Sequence, residues 1–96
     1  MKLNDIIERM NVVAVHGRSD VEISALCSDS RKVTAGALFV AVKGYASDGH
    51  SYIPQALEKG AVAVICETLP EEFKADVTFI VVENSRRAVA LAADAF

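Results

Sequence analysis

Two polar segments of the chain carry the side chains best suited to binding a polar ligand. The segment Ser28-Asp29-Ser30-Arg31 combines two hydroxyls with an acid and a cation, and the segment Lys43 to His50 contains two glycines and no apolar periodicity. Each follows a predicted strand, and in open α/β sheets ligands bind just outside strand ends. On residue types alone, local backbone capping is the commoner role of a Ser-Asp-Ser turn.

No catalytic centre is recognisable beside these two segments. The glycine-rich Walker pattern that ends in Gly-Lys-Ser/Thr is absent, because Lys43-Gly44 has the reverse order and Lys59-Gly60 opens a strand. The two histidines and two cysteines are too widely separated to suggest a zinc site. We therefore expect no catalytic residue, no metal and no cofactor in this chain.

Composition and charge narrow the class of protein. The 96 residues are 52% hydrophobic and 24% charged, which predicts one folded domain. A net charge of -3 with scattered Lys and Arg argues against a nucleic acid polymer as partner. Charges interrupt the N-terminal apolar residues, and no run approaches the roughly 18 residues of a membrane span. Cys27 and Cys66 are interpreted as reduced thiols of a cytoplasmic protein.

Apolar periodicity predicts alternating strands and helices. Strands are expected over 12–15, 22–27, 37–42, 61–66 and 77–82, and helices over 3–10, 51–59 and from 84 or 85 onward. The continuous apolar runs 37–42 and 61–66 are typical of strands covered on both faces. The prediction is a single layered α/β domain with a mixed or mostly parallel sheet of about four to six strands covered by helices.

Several side chains have predicted positions in this architecture. Gly60 is expected to end the second helix. Six residues are expected to be largely buried: Leu38, Val40, Val42, Val62, Val64 and Ile80. The last helix carries an apolar stripe formed by Ala88, Leu91, Ala92, Ala95 and Phe96. That helix reaches Phe96 without a C-cap signal, which suggests that the natural chain continues.

Four blocks, in order and spacing, resemble the N-terminal domain of the Mur ligase family. They are 29–33 (DSRKV), 36–44 (GALFVAVKG), 48–56 (DGHSYIPQA) and 59–64 (KGAVAV), and the resemblance extends from Ile23 to Phe96. The Ile-Pro-Gln-Ala stretch and the early helix are similar to members that add the third residue, diaminopimelate or lysine, to UDP-N-acetylmuramoyl-L-alanyl-D-glutamate. Members that add D-alanyl-D-alanine are the nearest alternative, and a stand-alone nucleotide-sugar-binding module is another.

The resemblance implies a three-domain ligase of peptidoglycan biosynthesis that depends on ATP and magnesium. Residues 1–96 would be its first domain, which holds the UDP end of UDP-N-acetylmuramoyl-dipeptide and is inactive alone. The enzyme's central and C-terminal domains, the first of which binds ATP, would be its partners. In such enzymes a precursor carboxylate is phosphorylated, and the incoming amine attacks the acyl phosphate to form an amide.

The resemblance also assigns site residues by position. Ser28 and Ser30 match residues that contact the uridine nucleotide, and Gly44 with Tyr45-Ala46-Ser47 matches the loop that closes on it, partly through backbone groups. Asp29 and Arg31 are expected to support the turn rather than to bind the ligand. The chain departs from the family at Ala37, where an acid is frequent, and in 45–47, a variable segment for which the resemblance implies a backbone role.

Overall fold

A computed structural model describes residues 1–44, 48–71 and 76–96 as a five-stranded sheet with helices on both faces. The strands are β1 (Val12–His16), β2 (Ala25–Cys27), β3 (Ala37–Val40), β4 (Ala63–Cys66) and β5 (Thr78–Val82). The helices are α1 (Leu3–Ile7), α2 (Ile53–Glu58) and α3 (Ser85–Ala95), with 3₁₀ turns at Ser30–Lys32 and Gly49–Tyr52.

The sheet has the order β1-β5-β4-β3-β2. Strands β2 to β5 are parallel, and β1 pairs antiparallel with β5. Parallel neighbours need crossover connections, which α2 and the segment between β4 and β5 supply here. The predicted mixed, mostly parallel α/β sheet is confirmed.

The apolar core is split into two layers by the sheet. Successive residues of a strand point to opposite faces, so Leu38 packs in the layer under α1 and α3, whereas Phe39 packs in the layer under α2. Every residue of β3 and β4 is buried, as predicted from their continuous apolar runs. Of the six residues predicted to be buried, four are confirmed: Leu38, Val40, Val64 and Ile80.

Val42 and Val62 are only half-buried, because Val42 lies beyond the end of β3 and Val62 precedes the start of β4. Strand β2 is also shorter than predicted. It begins at Ala25, where its partner β3 begins at Ala37, and Glu22 makes only an isolated bridge to Lys2. Regular pairing is limited by the partner strand, which the apolar pattern of one strand does not reveal.

Helix ends follow the predicted signals. Gly60 ends α2 with a φ of +103°, and a Cβ there would lie 2.9 Å from Ala35 Cα. The Asn84 side chain accepts the Arg87 backbone N–H at 3.1 Å and caps α3. Phe96, which the apolar stripe included, follows the last residue of α3 and is 49% exposed.

Candidate ligand-binding site at the sheet edge

The two polar segments singled out in the sequence meet at one edge of the sheet. Strands β2 and β3 are parallel neighbours, with Cys27 paired to Phe39, so their carboxyl ends lie side by side. An open cleft of about 710 Å³ lies there, which is within the usual range for small-molecule sites. Its lining comes from Ser28–Arg31 after β2, from Val42 and Gly44 after β3, and from Gly49, Tyr52 and Gln55 near α2.

The turn after β2 is fixed by its own acid and cation. Asp29 accepts the Arg31 backbone N–H at 3.0 Å, and its carboxylate also receives Arg31 Nε at 3.1 Å and a terminal guanidinium nitrogen at 2.9 Å. The Arg31 side chain, followed by its backbone N–H, lowers the pKa of the Asp29 carboxyl to about 2. Asp29 thereby caps the 3₁₀ turn Ser30–Lys32.

The two serines present their hydroxyls differently. Ser28 is exposed on the cleft wall, whereas Ser30 is 5% exposed. Ser30 Oγ donates to Gln55 Oε1 at 3.0 Å, so its proton is already engaged and its lone pairs remain as acceptors. The structure therefore brings Ser28, Ser30 and Gly44 into one cleft with Asp29 and Arg31. The predicted site residues Tyr45, Ala46 and Ser47 lie outside the described residues.

Sequence reasoning missed Tyr52 and Gln55 as lining residues. They are three positions apart and line the cleft, while Ile53 and Ala56, at the same spacing, are buried in the core. Tyr52 is 44% exposed, one of few large apolar side chains on the described surface. The signal was present in the spacing, because positions 52 and 55 each precede a buried apolar position, 53 and 56.

His50, which sequence reasoning left without a role, ties the cleft to the end of β4. Its Nδ1 lies 2.6 Å from Asp48 Oδ1, and its Nε2 accepts the backbone N–H of Glu67 at 2.8 Å. Because Nε2 accepts, the proton of the neutral ring resides on Nδ1 and is donated to Asp48. The His50 backbone N–H, followed by the His50 side chain, holds the pKa of the Asp48 carboxyl below its usual value.

A second group of hydrogen bonds holds Lys43 at the same place. Ser85 is fully buried at the start of α3, and its Oγ accepts the Lys43 backbone N–H at 2.9 Å. Ser85 donates to Glu67 Oε2 from both Oγ, at 2.7 Å, and backbone N–H, at 2.9 Å. These two bonds, the hydroxyl first, lower the pKa of Glu67. Glu67, which follows β4, is thus hydrogen-bonded to His50 directly and to Lys43 through Ser85.

A second, smaller cleft adjoins the first. It has a volume of about 360 Å³ and carries both signs of charge, with lining by Lys43, Gly44, Glu67, Glu83, Asn84 and Arg86. Gly44 lines both clefts.

The described parts of the chain give little support to metal binding or to a membrane-spanning helix. No group of three or more His, Cys, Asp or Glu among residues 1–44, 48–71 and 76–96 is placed to hold a metal ion. Within the same ranges, no helix has the length and apolar character to cross a membrane. Both cysteines are free thiols, and burial raises the pKa of the Cys66 thiol to about 11.

Comparison with known proteins assigns the chain to a family. The family model described as Mur ligase family, catalytic domain, matches residues 22–96. The chain therefore belongs to the Mur ligase family, and the resemblance predicted from its four blocks is confirmed.

Relatives by sequence include several ligases of one name. The chain is 47% identical over its whole length to UDP-N-acetylmuramoyl-L-alanyl-D-glutamate–2,6-diaminopimelate ligase of Cytophaga hutchinsonii, and 46% identical to that of Clostridioides difficile. It spans 20% and 19% of the length of these relatives.

Solved structures similar to this chain include MurF ligases. MurF from Acinetobacter baumannii matches 98% of this chain and 20% of its own with a TM-score of 0.82 at 22% identity, which supports the fold alone. MurF from Thermotoga maritima in complex with ADP matches 79% of this chain and 17% of its own, with a TM-score of 0.63 at 34% identity.

Proposed function

We propose that this chain is the substrate-anchoring domain of a ligase that adds diaminopimelate or lysine to UDP-N-acetylmuramoyl-L-alanyl-D-glutamate. The cleft at the ends of β2 and β3 would bind the UDP end of that precursor. One observation carries the proposal: Ser28 and Ser30 from one segment and Gly44 from the other line one polar cleft. The 47% identity to the diaminopimelate-adding ligase of C. hutchinsonii supports the choice of reaction, because identity to the MurF structures is 22–34%.

The cleft offers the hydrogen-bonding groups that a nucleoside diphosphate needs. The Ser28 hydroxyl is exposed to it, Ser30 contributes lone pairs, and Gly44 allows close approach of the backbone. Asp29 occupies two nitrogens of the Arg31 guanidinium, which favours a supporting role for this pair. The assignment of Tyr45, Ala46 and Ser47 to the site stays a prediction.

The chemistry of amide formation is proposed for the complete ligase and not for this chain. The chain contains no Gly-Lys-Ser/Thr loop, and its described residues form no metal-binding cluster, so they do not fit ATP and magnesium. We therefore assign phosphoryl transfer to the central domain of the proposed enzyme. The free cysteines support a cytoplasmic location, where the precursor would be encountered.

Titration of UDP into the isotope-labelled chain tests the proposal. Amide signals of 28–31 and 44–48 should shift before others. Binding should be weak, because each hydrogen bond contributes about 0.5–1.5 kcal/mol net, whereas association costs several kcal/mol. Ser30→Ala should weaken the shifts without unfolding the chain. Shifts that cluster around His16 instead would overturn the site.

The identity of the protein as a ligase has its own test. Reading the gene beyond codon 96 distinguishes a ligase from a stand-alone binding module, because the ligase requires a following glycine-rich ATP loop. A stop codon directly after Phe96 would favour the module.

A further inference from the structure

We infer that Gln55 determines the base specificity of the cleft by reading the edge of the pyrimidine, an inference that rests on the proposed function. The side chain belongs to α2 and lines the cleft beside the turn after β2. It is the one glutamine of the chain, and its carboxamide carries an acceptor and two donors on adjacent atoms.

The buried hydroxyl of Ser30 orients this carboxamide. Ser30 Oγ donates to Gln55 Oε1 at 3.0 Å, and Ser30 itself is held in the 3₁₀ turn that Asp29 caps. With Oε1 engaged, the amide is turned so that its NH₂ group is the part left for a ligand. No buried side-chain nitrogen or oxygen of the described residues lacks a hydrogen-bond partner. Gln55 Nε2 has no hydrogen-bond partner among the described residues, so it is not fully buried and is accessible to solvent.

The result is a donor beside an acceptor at the cleft wall. Gln55 Nε2 supplies the donor, and the remaining lone pairs of Ser30 Oγ supply the acceptor. The complementary ligand edge is a carbonyl oxygen next to an N–H, which is what uracil presents at O4 and N3. Cytosine presents an amino group and an unprotonated ring nitrogen at the same positions, so both contacts become donor against donor and acceptor against acceptor.

Ser30 and Gln55 therefore act as a pair that prefers uracil to cytosine. A site whose polar groups are left unpaired by the wrong ligand discriminates more strongly than a shape difference of similar size. UDP and CDP share their ribose and diphosphate, so the ratio of their dissociation constants isolates the base. That ratio is insensitive to a general loss of affinity caused by altered packing.

The experiment is titration of UDP and CDP into the labelled 96-residue chain and three variants. The wild-type chain should bind UDP about three- to tenfold more tightly than CDP, corresponding to one or two hydrogen bonds. Gln55→Leu should bring the ratio near one. Gln55→Glu replaces the donor by an acceptor and should reverse the preference. Ser30→Ala removes the hydrogen bond that orients the Gln55 carboxamide, so either its oxygen or its NH₂ group can face the ligand. UDP affinity should then fall, while CDP affinity should stay the same or rise.

Glu58→Gln, an exposed change on the same helix, is the control and should leave the ratio unchanged. The amide spectrum of each variant checks that it is folded. If UDP shifts the expected amides but the wild-type ratio is one, or if Gln55→Leu and Gln55→Glu both keep the wild-type ratio, the assignment to Gln55 is wrong and the proposed function survives. Absence of any UDP binding would overturn both.

Discussion

His50 Nε2 accepts the backbone N–H of Glu67 at 2.8 Å, a bond that joins the segment after β3 to the end of β4. The opposite ring nitrogen contacts Asp48 at 2.6 Å, so both nitrogens of a mostly buried imidazole are used. His50 therefore has a structural role beside the cleft. Because both ring nitrogens are hydrogen-bonded within the protein, neither is available to bind a metal or a substrate.

Replacing His50 by Ala should destabilise the fold. The Glu67 backbone N–H loses its acceptor and Asp48 loses its partner, and leaving such groups unpaired costs about 1–3 kcal/mol. Urea unfolding followed by circular dichroism measures the change. Arg9→Ala, an exposed substitution far from this network, should change stability by less than about 0.5 kcal/mol. Equal urea midpoints for the two variants would contradict this structural role of His50.

Acid should weaken the network around Glu67. The pKa of the Glu67 carboxyl is held below the ordinary 4.5 in the folded protein. The stability that this carboxylate contributes is therefore fully present above pH 4.5, and it is lost as the pH falls through the lower pKa of the folded state. In Glu67→Gln the acid-side loss of stability should be smaller, although Asp29 and Asp48, whose pKa values are also lowered, keep part of it. Unfolding free energies measured from pH 7 to pH 3 test this. Parallel curves for both proteins would argue against it.

Gly49→Ala should disturb the wall of the cleft. A Cβ at Gly49 would lie 2.7 Å from Val42 N and 3.0 Å from Val42 O, and both are backbone atoms that have little freedom to move. The Gly49 N–H also donates to Val42 O at 2.9 Å. We expect a loss of about 1–3 kcal/mol in unfolding free energy together with weaker UDP binding. A variant that matches the wild-type chain in both measurements would show that the segment relaxes freely.

Tyr52 should supply a stacking surface for the base. Tyr52 is 44% exposed and lines the cleft, and stacking of a nucleobase on an aromatic ring contributes about 1–3 kcal/mol. Tyr52→Ala should therefore weaken UDP binding about fivefold or more, whereas Tyr52→Phe, which keeps the ring, should bind nearly as the wild-type chain does. Both are measured by the same titration. Equal losses in the two variants would assign the effect to the hydroxyl instead of the ring.

Much of the fold was predictable because its signals are local. Continuous apolar runs identified β3 and β4 as strands buried on both faces, and Gly60 and Asn84 marked the ends of helices. Strand ends were less predictable. Val42 and Glu22 fall outside regular strands because pairing depends on where the neighbouring strand begins and ends.

The sequence by itself determined the α/β alternation, the family and the two polar segments, since periodicity, capping residues and motif blocks are read along the chain. Tertiary structure decided which groups of the cleft are engaged. Ser30 meets Gln55 across 25 positions and Lys43 meets Ser85 across 42, and neither pairing has a signature in local spacing. The Lys43–Ser85 contact exists because β5 and β3 flank β4 in the sheet, and the Ser30–Gln55 contact exists because α2 packs against the 3₁₀ turn that follows β2.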